Sequence, residues 1–149
     1  MTGVQTCALP ILADGASWAW DLKFVLAKVI FALGVGLVVR AAVGRLGVAV
    51  ALAASSAFIG FFSYRFNHAA FFSLSYAPWL LLAWLKIARA PAWRDAVRWV
   101  GLLMVANWME LNSGTAKEAV ILMLALNGTG ALMVILAAET VAARARKLA

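Results

Sequence analysis

Acidic side chains are scarce in this sequence. Six Asp and Glu stand against thirteen Lys and Arg in 149 residues, and charged residues of both signs make up only 13% of the chain. Soluble domains carry roughly 25%. With 66% of its residues hydrophobic, a chain this short cannot hide its apolar surface in a water-soluble core. One cysteine and one histidine exclude a Cys/His metal cluster. Neither a Gly-rich nucleotide loop nor a nucleophile elbow occurs. The net charge of +7 raises nucleic acid as a partner. The cations are scattered among long apolar runs and form no stripe, which excludes it. The lipid bilayer is left as the natural solvent and first partner.

The opening stretch, MTGVQTCALPI (residues 1–11), has no Lys or Arg and no apolar run longer than four. It therefore fails as a signal peptide, which needs a basic start and an apolar core of about 7–15 residues. Residues 2–11 resemble the in-frame translation of a short-read sequencing adapter. They are set apart as non-native, with the rest expected to be truncated at its N-terminus. Cys7 falls in this stretch, so it supports no disulfide or thiolate chemistry.

From residue 12 onward the chain reads as an all-α, polytopic transmembrane helix bundle of about five spanning helices, near 22–40, 46–62, 69–88, 95–111 and 119–138. A span needs about 20 apolar residues. The first run contains Lys28, early enough to snorkel. The second is rich in Ala, Ser and Gly, which allow close helix packing in lipid. The third holds Pro78, which predicts a kink near its middle. The fourth contains Asn107 and is the shortest apolar run. The fifth is twenty clean residues, with Asn127, Gly128, Thr129 and Gly130 as packing polarity. Asn127-Gly-Thr matches a glycosylation sequon, but its place within a span argues against use. Trp18, Trp20, Trp93, Trp99 and Trp108 sit near span ends, as an aromatic belt does.

Five spans put loops 40–45 and 86–98 and the C-terminal tail on one side. That side holds Arg40, Arg45, Lys86, Arg89, Arg94, Arg98, Arg144, Arg146 and Lys147. The other holds Lys23, Lys28, Arg65 and Lys117. The positive-inside rule makes the first side cytoplasmic, in a bacterial inner (plasma) membrane. Its basic loops need no role beyond setting topology near anionic lipid.

The outer segments are chemically richer. SYRFNH (63–68) brings Arg65, whose donor fork suits phosphate, together with Asn67 and His68, able to relay a proton or donate to a phosphate oxygen. The alternative is a polar turn capping the third span. ELNSGTAKE (110–118) reads as another polar loop. Glu110 and Glu118 suit acid–base work or cation binding. Asn112, Ser113 and Thr115 suit capping of the last helix, with Lys117 and Glu118 in its first turns. A helix start aimed at an anion would bind phosphate; plain capping with a solvated ion pair is the alternative. Asp14 and Asp21 lie in the segment ahead of the first span.

Two stretches carry a family resemblance: KFVLAKVIFALGVGLVVRAAVGRLGVAVALAASSAFIGFF, and SLSYAPWLLLAWLKIARAP after a short outer loop. Together, over about half the chain, they resemble the central helices of bacterial polytopic membrane proteins of the GT-C glycosyltransferase superfamily. The shared features are an Arg-to-Gly turn (40–47), an Ala-rich helix, an outer loop with Asn and His, and an Ala-Pro-Trp-Leu-Leu-Leu helix with a basic end. The resemblance implies inverting transfer of a sugar from a polyprenyl-phosphate donor at the outer face, often with a divalent metal. It implies Arg65, His68 or Lys117 as phosphate contacts. The family's catalytic carboxylate sits in the first outer loop, after a first helix that is absent here; the resemblance offers Asp14 and Asp21 as a remnant of the end of that loop, with no acidic motif left to match. Alone, this stretch is not expected to be active. The competing class is a transporter or channel subunit, or a non-catalytic membrane component. Coupled transport calls for ionisable residues in mid-span, whereas here, Lys28 apart, they gather at span ends.

Overall fold

The computed structural model describes residues 17–60, 70–114 and 116–148. Every regular element among them is helical: α1 (Ser17–Val43), α2 (Leu46–Ser56), α3 (Ala70–Leu74), α4 (Ala77–Ala88), α5 (Trp93–Ser113) and α6 (Ala116–Leu148). The result is the expected all-α bundle. Residues 1–11, with Cys7, and Asp14, Arg65, Asn67, His68 and Thr115 lie outside the described residues.

Three segments are long and apolar enough to cross a membrane: Asp21–Val43, Ala70–Ala88 and Ala116–Ala138. The other two expected spans differ from these. The described part of α2 is an apolar helix of 11 residues. α5 has 21 residues, about 31 Å at 1.5 Å per residue. It opens on Trp93, Arg94, Asp95 and Arg98, which lower its apolar content. Its outward face is nonetheless apolar, with Val97, Met104, Val105 and Trp108 all exposed, as are Val25 and Leu33 on α1 and Leu124 on α6. Apolar surface this extensive is compatible with an exterior in contact with lipid.

The turns follow from local chemistry. α1 stops because Gly44 takes a positive φ of 78° and donates its N–H to the Arg40 carbonyl at 2.9 Å. This is the left-handed cap that glycine makes without steric cost. The break between α3 and α4 corrects the expected kink. Pro78 lies in the first turn of α4, where a missing N–H costs nothing. Ser75 and Tyr76 form the turn before it, donating to the Phe72 and Ser73 carbonyls at 3.3 and 3.1 Å. Proline here starts a helix and does not bend one.

The stretch 110–118 is likewise not a polar loop. α5 runs on through Ser113 and α6 resumes at Ala116. Asn112 Nδ2 donates to the Trp108 carbonyl at 2.7 Å, and Ser113 Oγ to the Glu110 carbonyl at 3.3 Å. Both side chains turn back to close the last turn of α5 and leave α6 uncapped by them.

Aromatic and small residues hold the bundle together. Phe24, Phe71 and Phe72 contact one another at centroid separations of 5.2–5.4 Å, with Ala27 and Phe31 completing the cluster between α1 and α3. Gly36 faces Ala53 across α1 and α2. Gly34 faces Pro78 and Trp79 across α1 and α4, and Trp79 Nε1 donates to the Ile30 carbonyl at 2.9 Å. Such small-residue contacts let helix backbones approach closely where lipid supplies no hydrophobic drive.

Candidate functional site

The alternating helix directions sort the polar residues to two ends. The start of α1, α3, the end of α5 and the start of α6 share one end. Four observations fix this. The Lys23 ammonium lies 3.7 Å from the centre of the Phe72 ring. Phe24 packs on Phe71 and Phe72. Ser73 Oγ donates to the Glu110 carbonyl at 3.2 Å. Finally, α6 begins at Ala116, two residues beyond Gly114. Asp21, Glu110, Asn112, Lys117 and Glu118 therefore belong to one end of the bundle.

At this end the predicted residues divide by exposure. Asp21, Asn112 and Lys117 are exposed, and Glu118 is half-buried in the first turn of α6. Asn112 spends its amide donor on its own helix. Glu110 differs from all of these. It is 0% exposed, and neither carboxylate oxygen has a hydrogen-bond partner. An unpartnered buried carboxyl is costly, and its presence inside an apolar bundle is a mark of function by default. Ser73, 1% exposed, is buried against it, and Ser75, also 1% exposed, bonds its Oγ to the Phe71 carbonyl at 3.0 Å.

One turn below Glu110 on the same face of α5 is Asn107. It belongs to a seam of side-chain hydrogen bonds through the bundle interior. Trp84 Nε1 on α4 donates to Asn127 Oδ1 on α6 at 2.9 Å. Asn127 Nδ2 donates to Asn107 Oδ1 at 2.8 Å, and Asn107 Nδ2 to the Leu103 carbonyl at 2.8 Å. The indole N–H is a donor only, so it fixes which way each amide points. The reading of Asn127 as packing polarity is matched here, and Asn107 joins it. Trp84's part in the seam was not legible. A tryptophan inside an apolar run carries no sequence signal that its N–H needs a partner, beyond the general rule that buried indoles find one.

Among the described residues no group of three or more His, Cys, Asp and Glu side chains converges. They supply no ligand set for the divalent metal that the resemblance allows, and Glu110 stands apart from any such group.

The opposite end is cationic. Arg40 and Arg45 at the end of α1, Lys86 and Arg89 at the end of α4, and Arg94 and Arg98 at the start of α5 gather there. Arg89 Nη1 reaches across to donate to the Ala41 carbonyl.

Fold and ends together define the class: a helical membrane protein with an interior polar seam, one mixed polar end and one cationic end. No family model matches the chain, and no curated protein and no solved structure matches it either.

Proposed function

We propose that this chain carries helices of an integral membrane glycosyltransferase, which moves a sugar from a polyprenyl-phosphate donor at the outer face of a bacterial plasma membrane. The observation that carries the reading is the Ser73–Glu110 contact. It ties α3, which follows the Arg65–Asn67–His68 segment, to the end of α5, which precedes Lys117 and Glu118. Asp21, Glu110, Asn112, Lys117 and Glu118, far apart in the chain, share one end of the bundle, and this supports a polar ligand site there. The cationic end then faces the cytoplasm, in keeping with the positive-inside rule.

In this reading Asp21, exposed at the start of α1, takes the proton of the acceptor hydroxyl. The acceptor oxygen bonds to the anomeric carbon as the bond from that carbon to the phosphate oxygen breaks. The electron pair leaves with the polyprenyl phosphate. Its charge is met by the Arg65 fork, His68 and Lys117. Asn67, Asn112 and Glu118 contact the sugar in this reading, and Glu110 is a further polar group at the end of α5.

The test is turnover of a polyprenyl-phosphate sugar by the complete gene product. Arg65→Ala and His68→Ala should each lower it, and Asp21→Asn should lower kcat by about a hundredfold or more, as loss of a general base does. Unchanged turnover in all three overturns the reading.

A second reading, coupled transport, is favoured by one observation: Glu110 is a fully buried ionisable group lined up with Asn107 on α5. Ionisable groups in such places serve proton or ion pathways. Proton-driven uptake that is lost in Glu110→Gln, with no consumption of lipid-linked sugar in the parent, would establish transport instead.

A further inference from the structure

At the cationic end, α1, α4 and α5 leave a cleft of about 470 Å³. Its walls are apolar, formed by Leu37, Trp79, Leu82 and Leu102, while Arg40 and Lys86 stand at its polar edge. A second cleft of about 320 Å³ adjoins it, sharing Lys86 and Trp99 and adding Arg89 and Arg98. Two of these cations flank one side chain: Lys86 Nζ lies 5.5 Å and Arg98 Cζ 5.3 Å from the centre of a Trp99 ring. Arg89 is already spent on the Ala41 carbonyl. For Arg40, Lys86 and Arg98, by contrast, no described carboxylate lies within ion-pair distance; Asp95, which also lines the second cleft, pairs with none of them.

Lys86 lines both clefts, with Arg40 beside it in the first and Arg98 in the second, and neighbouring cations of this kind attract an anion. A free anion would account for the charge and leave the apolar walls unexplained. An amphipathic anion accounts for both. We propose that this cleft binds an anionic phospholipid, its phosphate at Arg40 and Lys86 and its acyl chain along Leu37, Leu82 and Leu102. Basic pockets between membrane helices suit such head groups, and the Arg fork and Lys point charge are both phosphate donors. Trp99 holds the two cations on its faces and keeps the lipid seated beside α5. The inference rests on the membrane setting alone and is independent of the transfer reading, which is tested by turnover in the Arg65, His68 and Asp21 variants.

The experiment uses the full 149-residue chain in vesicles of phosphatidylcholine mixed with phosphatidylglycerol. Spin-labelled versions of each lipid report the preference of the protein for one over the other. The parent should prefer phosphatidylglycerol, and Arg40→Gln with Lys86→Gln should lower that preference about fivefold per cation removed. The charge-keeping pair Arg40→Lys with Lys86→Arg should retain it. Arg45→Gln with Arg94→Gln removes the same charge from exposed positions outside both clefts and should leave it unchanged. Equal loss in the two neutralised pairs, no loss in the cleft pair, or loss in the charge-keeping pair overturns the proposal. So does displacement of the labelled lipid by millimolar inorganic phosphate at constant ionic strength, which would make the ligand a soluble phosphate.

Discussion

Gly130 on α6 lies directly against the indole of Trp84 on α4. A Cβ at Gly130 would stand 2.1 Å from Trp84 Cγ and 2.3 Å from its Cδ2, far inside van der Waals contact. Trp84 cannot withdraw freely, because its Nε1 is held by Asn127 one turn earlier on the same helix.

Gly130→Ala should therefore destabilise the bundle by about 1–3 kcal/mol, the usual cost of overpacking. Gly128→Ala, two residues away with nothing within 4 Å of its Cβ position, should be neutral or stabilising by up to about 1 kcal/mol through helix propensity. Unfolding of both variants in a detergent titration checks the pair. Similar behaviour of the two would remove the Trp84 contact from the account.

Asn127 makes interhelical hydrogen bonds to both Trp84 and Asn107. Such bonds are worth about 0.6 kcal/mol on average in a membrane bundle, and up to about 1.7 kcal/mol. Asn127→Leu should cost about 1–3 kcal/mol, summed over two bonds of that size. Asn107→Leu should cost less, since it breaks only one interhelical bond. In a double-mutant cycle the combined variant should be less destabilised than the sum of the two, because both single changes remove the same contact. Additive values would mean the two amides do not interact.

Glu110 should behave oppositely under stability and activity assays. Its carboxyl is buried with neither oxygen partnered, so Glu110→Leu, close in volume, should stabilise the protein by about 1–3 kcal/mol, the desolvation cost of an unsatisfied polar group. Whatever work that end of the bundle performs should fall in the same variant, the trade expected at functional sites. A destabilised Glu110→Leu would show that the carboxyl has partners holding it.

Trp79→Phe keeps an aromatic ring at the α1–α4 crossing and removes the indole donor to the Ile30 carbonyl. The expected loss is about 0.5–1.5 kcal/mol, read from the unfolding midpoint. Gly34, whose Cβ position lies 2.9 Å from both Pro78 Cβ and Trp79 Nε1, should tolerate no larger residue, and Gly34→Leu should prevent α1 from docking on α4.

Much of the bundle was legible because apolar runs of twenty residues have few other uses in a short chain. The turn at Gly44, the basic ends of α1 and α4, and the polarity of Asn107 and Asn127 all follow from residue type and spacing. Two readings failed for one reason. Pro78 looked like a kink in a continuous helix, and Glu110 to Ser113 looked like a loop. In each case the position of the helix end is set by packing. Ser75 and Ser73 turn inward at the α3–α4 break, and Glu110 faces the interior at the end of α5. Composition shows that a segment is polar but not which of its residues points inward. Glu110 was therefore picked out for its chemistry while its burial went unseen. The pairing of Lys86 and Arg98 around Trp99 was invisible for the same reason, since it depends on α4 and α5 meeting.

The seam from Trp84 through Asn127 to Asn107 also acts on geometry. Apolar helices in lipid slide and spin against one another at little cost, because one greasy face resembles the next. A shift of a single residue along α6 would turn its side chains by about 100° and carry Asn127 away from both of its partners. The donor-only indole at one end means that a flipped amide cannot substitute. Three helices are thus keyed to one azimuth, and Glu110, a turn above the key on α5, inherits a fixed heading.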